Sequence, residues 1–299
     1  MPTRTAPSAS PRPAGKPLGK LAIIAGGGTL PALLVQACRE VGRPFLVVGL
    51  EGQADGGTLE GVPLTWCRLG AAAEGERILR EFGAEEVVFV GKVRRPSLKE
   101  IRPDWRALKV IVKATVRALG DDGLLRAIIR EFEASGFRVV APHEVVRDLL
   151  ANEGPYGRIR PDRQARIDIE RGMAVAKAIG ALDIGQAAVV QQGIVLGVEG
   201  IEGTDALIVR AGALQREGPG GVLVKAAKPR QERRIDLPGI GVETVEAVAR
   251  AGLRGIAVEA GGALVIDRAK VAARADDLGI FVVGTPPMRE AAAAAKAAP

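Results

Sequence analysis

Short unbroken apolar runs alternate along this chain with stretches whose apolar positions recur every three to four residues. Residues 21–25 form a strand-length run that stops at Gly26-Gly27-Gly28 and gives way to helical spacing over residues 30–41. A strand at 44–50, an irregular Gly-containing stretch, an edge strand at 64–68, a helix at 74–82 and a buried strand at 86–91 follow. Such alternation predicts a parallel, Rossmann-like sheet covered by helices. After a basic stretch at 92–103 the spacing predicts helices over 105–118 and 124–135, then a strand at 138–141.

Residues 151–161 carry Gly, Pro and Arg without periodicity and read as a linker. Beyond them the pattern predicts a helix at 163–179 and strands at 187–191 and 194–199, joined by Gln192-Gly193 as a hairpin. A helix at 204–213, a strand at 221–226, a helix at 242–251 and a strand at 255–259 come next. A hairpin-like pair around 264–267 and a last helix and strand over 269–283 complete the pattern. The fold expectation is therefore α/β, with an N-terminal Rossmann-like parallel-sheet domain at 18–150 and a C-terminal mixed α/β catalytic domain at 162–285. The ligand is expected in the interdomain cleft. Residues 1–17 read as a disordered tail and 286–299 as an Ala-rich tail.

Composition sharpens this. Hydrophobic residues make up 47% of the chain and aromatic ones 3%, which suits Ala, Val and Leu cores between sheet and helices better than an aromatic-rich sandwich. The formal charge is +7, but the cations are spread among acids, without zinc-finger spacing or an RNP-like aromatic pattern. Nucleic acid is thus not the expected partner; a phosphorylated small molecule or an anionic membrane face accounts for the charge. Cys38 and Cys67 lack metal-ligand spacing and read as free thiols in a reducing compartment. No run has the character of a signal peptide or a membrane span, so a cytoplasmic location is expected.

Several segments carry candidate chemistry. Gly26, Gly27 and Gly28 lie between a strand and a helix, where backbone can approach a phosphate or sugar and a helix start offers amide donors. Neither the dinucleotide fingerprint nor the P-loop is present, and a tight structural turn explains these glycines as well. Lys92 opens a basic segment at the C-terminal end of a buried strand, the edge where open α/β sheets bind ligands; a solvated loop is the plainer reading. Asp121 and Asp122 offer oxygens to a hard metal or cap a helix, and Thr204 likewise stands at a helix mouth as contact or cap. His143, the sole histidine, has no partner at zinc spacing. The densest cluster is residues 224–241, in which Lys225, Lys228, Gln231, Arg233 and Arg234 precede a lone acid, Asp236. A diphosphate needs cations on its non-bridging oxygens and a metal or carboxylate to organise the attacking water, and this segment has both; a charged surface loop is the alternative. Glu259 ends a buried strand where a second metal-binding carboxylate fits.

Seven segments in order are similar to the LpxI family of UDP-2,3-diacylglucosamine pyrophosphatases: 21–31 (LAIIAGGGTLP), 91–96 (GKVRRP), 120–125 (GDDGLL), 182–186 (LDIGQ), 202–206 (EGTDA), 228–241 (KPRQERRIDLPGIG) and 259–262 (EAGG). The resemblance implies hydrolysis of UDP-2,3-diacylglucosamine to UMP and 2,3-diacylglucosamine 1-phosphate (lipid X) in lipid A biosynthesis, with Mg2+ or Mn2+ as cofactor. It also implies water attack on the β-phosphorus, a homodimer, and a catalytic aspartate in the family's RxDLPxIG motif, matched here by Asp236. On this reading Asp236 binds the metal or orients the water, with Asp122 and Glu259 as further metal ligands. Lys225, Lys228, Arg233 and Arg234 steady the diphosphate, and Gly26, Gly27, Gly28, Lys92, Thr204 and Gln231 contact substrate. A substrate with lipid tails brings transient contact with the inner membrane surface. The rival readings are a nucleotide-sugar-binding protein or transferase and, last for want of stacking aromatics, an RNA-binding module.

Overall fold

The computed structural model describes residues 18–93, 103–108, 121–229 and 231–288, with the side chains of Thr58, Asp121 and Asp122 excepted. The N-terminal tail, nearly all of the Ala-rich tail, Arg94 to Pro96 of the basic segment, most of the helix expected at 105–118, and Arg230 lie outside the described residues.

In the first half, strands β1 (Leu21–Ala25), β2 (Phe45–Leu50), β3 (Leu64–Cys67), β4 (Glu86–Val90) and β5 (Arg138–Val140) form one sheet in the order β3-β2-β1-β4-β5, all parallel. Helices α1 (Leu30–Glu40), α2 (Ala72–Phe82) and α3 (Asp121–Ala134) lie between them in sequence, and the single turn α4 (Pro142–Val145) follows β5. The strands are apolar on both faces because both are covered. Leu21 and Ile23 pack with Leu34 and Cys38 of α1, whereas Ala22 and Val87 pack with Ile78 and Leu79 of α2. Cys38 and Cys67 are free and buried, and burial pushes the Cys67 thiol up to about 11. Strand order reverses between β1 and β4, and the C-terminal ends at such a switch point are where open α/β sheets bind ligands.

The second half contains β6 (Gly154–Pro155), α5 (Arg163–Ala181), β7 (Ala187–Gln191), β8 (Ile194–Val198), α6 (Gly203–Gly212), β9 (Val222–Lys225), β10 (Gly239–Ile240), α7 (Val242–Arg250), β11 (Gly255–Glu259), β12 (Leu264–Val265), α8 (Arg268–Asp277) and β13 (Phe281–Thr285). Its main sheet is mixed, in the order β6-β13-β11-β9-β7-β8, with β9, β11 and β13 parallel and the other pairings antiparallel. One face packs on Ile169, Met173 and Ala176 of α5; the other packs on α6, α7 and α8 through residues such as Leu207, Val245 and Val271. Gly172 lets α5 lie this close, since a Cβ there would stand 2.4 Å from Val224 Cγ2. The hairpin expected at Gln192-Gly193 is present, with φ of 51° and 78° at its two central residues, the positive pair that a type I′ turn requires.

Two expectations are corrected. Residues 151–161 do not form a free linker: Gly154–Pro155 adds an antiparallel edge strand to β13, a place where proline's missing N–H costs nothing. The pair expected around 264–267 is not a hairpin either. Leu264–Val265 pairs in parallel with Gly239–Ile240, and Asp267 instead caps α8 by accepting the Lys270 N–H at 3.2 Å.

The halves share an apolar seam. Leu237, Leu264 and Ile266 of the second half pack into the cluster of Leu30, Leu34 and Leu149 of the first. Backbone bonds stitch the crossing, with Val265 N–H donating to Leu149 O at 2.8 Å and Ala151 N–H to Ala263 O at 2.8 Å.

Candidate active site

At the switch point, β1 and β4 run into two glycine-bearing loops that fit only each other. The Gly26 N–H donates to Val90 O at 2.8 Å, and Gly27 and Lys92 exchange two bonds of 2.8 Å. A Cβ at Gly26 would stand 2.5 Å from Lys92 O, and one at Gly91, where φ is 94°, would stand 2.7 Å from Gly26 C. The amides of Gly26 and Gly27 are therefore spent on protein carbonyls and do not serve as donors to a phosphate. Gly28 is exposed and its Cβ direction is open. Lys92 projects from this joint and pairs with Asp205 of α6 at 3.0 Å, spanning the two halves.

In the second half, Lys225 ends β9 with 6% exposure, and its Nζ donates to Gly239 O at 3.2 Å. Burial lowers its pKa; the carboxylates of Glu199, Asp205 and Asp236 pull it back up and Lys92 pushes it down. Lys225 is thus the buried cation around which Glu199, Asp205 of α6, Asp236 and the Lys92 ammonium are arranged. Glu199, also buried, accepts from Thr204 Oγ1 at 2.5 Å and from the Gln186 N–H at 2.9 Å.

The loop after β9 is clamped at its root. Lys177 Nζ donates to Ala227 O at 2.8 Å and to Glu259, while Glu259 Oε2 accepts the Ala227 N–H at 3.0 Å. Further along, the Lys228 ammonium pairs with Asp183 at 2.6 Å, and the Lys228 N–H donates to Gln231 Oε1 at 2.9 Å. Gln231 Nε2 reaches Asp236 Oδ2 at 2.8 Å and Gln186 Oε1 at 3.0 Å. Arg234 pairs with Glu232 at 2.8 Å and with Glu133 of α3 at 2.6 Å, and these bonds hold its own pKa above the usual arginine value. Arg233 is exposed and lies near enough to half-buried His143 to depress it, adding to the dominant effect of burial.

The structure therefore brings Glu199, Asp205, Asp236 and Lys92 within electrostatic reach of Lys225, with Gln231 bonded to Asp236 and Thr204 to Glu199. It ties Lys228 to Asp183 and Arg234 to Glu232 and to Glu133 of α3. Glu259 is 2% exposed and both its oxygens are taken, Oε1 by Lys177 at 2.6 Å, so the metal role expected for it does not fit. The Asp122 side chain lies outside the described residues. Sequence reasoning did not single out Glu199, Gln186, Asp183 or Lys177. Gln186 and Asp183 did fall within the LDIGQ segment, while Glu199 offered no signal beyond ending a strand.

A family model described as the LpxI N-terminal domain matches residues 20–149, and one described as the LpxI C-terminal domain matches residues 152–283. A relative from Caulobacter vibrioides, "UDP-2,3-diacylglucosamine pyrophosphatase LpxI", is 45% identical over 275 residues, spanning 90% of this chain and 98% of the relative. The chain belongs to the LpxI family. The two LpxI models meet at Leu150 and Ala151, where the backbone crosses the seam. Among solved structures, the Bordetella bronchiseptica enzyme WbmG in complex with NAD matches 42% of this chain and 37% of that chain at 18% identity, with a TM-score of 0.28, too slight a likeness to bear on the fold.

For the divalent ion that an LpxI resemblance implies, no group of three or more His, Cys, Asp or Glu converges among the described residues. Magnesium does not need such a cage, since one or two carboxylates plus substrate phosphate oxygens and water complete its shell. Asp236 fits that pattern: Gln231 holds Oδ2, and no hydrogen bond from the described residues engages Oδ1.

Proposed function

We propose that this protein is a UDP-2,3-diacylglucosamine pyrophosphatase, which hydrolyses its substrate to UMP and 2,3-diacylglucosamine 1-phosphate in lipid A biosynthesis. The observation that carries the reading is the electrostatic coupling of the buried Lys225 to Glu199, Asp205, Asp236 and Lys92, the last of which extends from the switch-point joint; kinship with the Caulobacter vibrioides pyrophosphatase supports it. Water attacks the β-phosphorus, its oxygen forms the new P–O bond, and the bridging oxygen leaves with uridylate as UMP. Asp236 presents Oδ1 to orient that water. Lys225 sets a positive charge, already desolvated, against the charge that builds on the phosphoryl oxygens, where it acts more strongly than in water. Lys92 and Gly28 face the substrate, and Thr204 holds Glu199 in place within reach of Lys225. A magnesium or manganese ion held by Asp236 together with the diphosphate would supply Lewis acidity.

A homodimer, a cytoplasmic location and transient contact with the inner membrane surface belong to the same proposal. Among the described residues no helix is long and apolar enough to cross a membrane, and the acylated substrate gives the reason for such contact. The test is Asp236→Asn assayed with UDP-diacylglucosamine and magnesium, without any acceptor. Loss of UMP release by about a hundredfold or more, with substrate still bound, is expected. Turnover retained in this variant overturns the assignment, and absence of UMP from the unsubstituted protein overturns hydrolysis itself.

A further inference from the structure

Gln231 was expected to touch substrate, yet its surroundings describe a different task. It is 8% exposed, which leaves little surface for a ligand. Its Oε1 faces the Lys228 N–H at 2.9 Å, and that donor fixes which end of the amide is oxygen. The two Nε2 hydrogens then point at Asp236 Oδ2, at 2.8 Å, and Gln186 Oε1, at 3.0 Å. Every donor the amide owns is used. Gln186, the second acceptor, is itself immobilised: its N–H donates to Glu199 Oε2 at 2.9 Å, and its carbonyl accepts the Ala226 N–H at 3.0 Å. Glu199 is anchored in turn by Thr204. A half-buried run of hydrogen bonds thus leads from the start of α6, through two glutamines, to one oxygen of Asp236.

We infer that Gln231 is a positioning residue, backed by Gln186, that fixes the rotation of the Asp236 carboxylate so that Oδ1 alone is left to engage the attacking water. The inference rests on the catalytic role proposed for Asp236. A carboxylate free to spin about its last bond presents the correct oxygen only part of the time, and small misplacements of a catalytic group are costly. The amide removes that freedom without adding charge beside the acid.

The experiment compares Gln231→Met, Gln186→Met, Asp236→Asn and the double variant Gln231→Met/Asp236→Asn with the unsubstituted protein. Turnover of UDP-diacylglucosamine with magnesium and equilibrium binding of the same substrate are measured. For Gln231→Met, kcat is expected to fall about tenfold to a hundredfold while KM stays within about twofold, the pattern of an interaction felt mainly in the transition state. Gln186→Met, which leaves the bond to the Lys228 N–H in place, is expected to show a smaller loss with the same split. In the Asp236→Asn background the Gln231 change should alter neither substrate affinity nor residual rate, because two residues acting through one group are not additive. A rise in KM with kcat unchanged, or weaker substrate binding in the double variant, makes Gln231 a substrate contact and overturns the inference. Should Gln231→Met fail to fold, Gln186→Met decides by the same split. Wild-type kinetics in both glutamine variants beside an inert Asp236→Asn sink this inference alone; an active Asp236→Asn sinks the active-site reading instead.

Discussion

An ammonium taken out of water is paid for by its neighbours or gives up its proton, and Lys225 shows both tendencies. Burial lowers its pKa from the ordinary lysine value of 10.5, and three carboxylates recover only part of the drop. Its charge is therefore lost at a lower pH than that of an exposed lysine. The alkaline limb of kcat/KM, which reports the free protein, is expected below 10.5 and should move upward in Lys225→Arg, whose guanidinium stays charged. A limb unmoved by that substitution would show that another group sets it. Lys177 and Glu259 form the opposite case, a buried pair fully committed to each other and to Ala227. Replacing either partner alone, as in Lys177→Met, leaves an unpaired buried charge and should cost about 3–5 kcal/mol in urea unfolding. Glu259 also shows where sequence reading stops at this scale. A carboxylate at a strand end looks like a ligand until its partner, 82 residues away in sequence, is seen beside it. Asp236 and Lys225 were legible because they lie in one dense cationic segment. Glu199 was not, since its meaning comes from contacts with Gln186 and Thr204 that only the folded sheet creates.

Among the elements, both long sheets were legible because their strands carry continuous apolar runs and their helices a clear period. The two-residue strands β6, β10 and β12 were not, since two residues have no period and their pairing is decided by what lies alongside. The joint between the β1 and β4 loops depends on Gly91, which has a positive φ and no room for a Cβ. Gly91→Ala should combine backbone strain with a clash against Gly26, lower stability by about 1–3 kcal/mol and raise KM by displacing Lys92; thermal melting and kinetics check both. Glu86 pins β4 to β5, pairing with Arg138 and Arg43. Burial works to raise its pKa, but the bonds from Arg138 and Arg43 outweigh it and the net shift is downward. The stability this carboxylate contributes is accordingly present above the ordinary value of 4.5 and is lost as pH falls through the lower folded value. Glu86→Gln should flatten the acid side of a stability-against-pH curve measured by denaturant unfolding.

Taken whole, the molecule is two sheets joined less by charge than by grease. The Lys92–Asp205 and Arg234–Glu133 pairs cross between the halves, the first largely in solvent and the second partly so, and solvated pairs contribute about 0–1 kcal/mol each and weaken with salt. Leu237 and Ile266, seated among Leu30, Leu34 and Leu149, hold the seam more firmly. Leu237→Ala is expected to lower kcat as well as stability, whereas Glu133→Gln should leave both nearly unchanged in matched assays. The reason lies in a single peptide bond: the Leu237 side chain anchored in the N-terminal core belongs to the residue next to Asp236, for which we propose the catalytic role. Competence of the C-terminal half is therefore borrowed from its neighbour. A polypeptide severed near residue 150 would yield two fragments that can each keep a sheet yet turn over nothing apart, and activity on remixing would count the molecules that had found their other half.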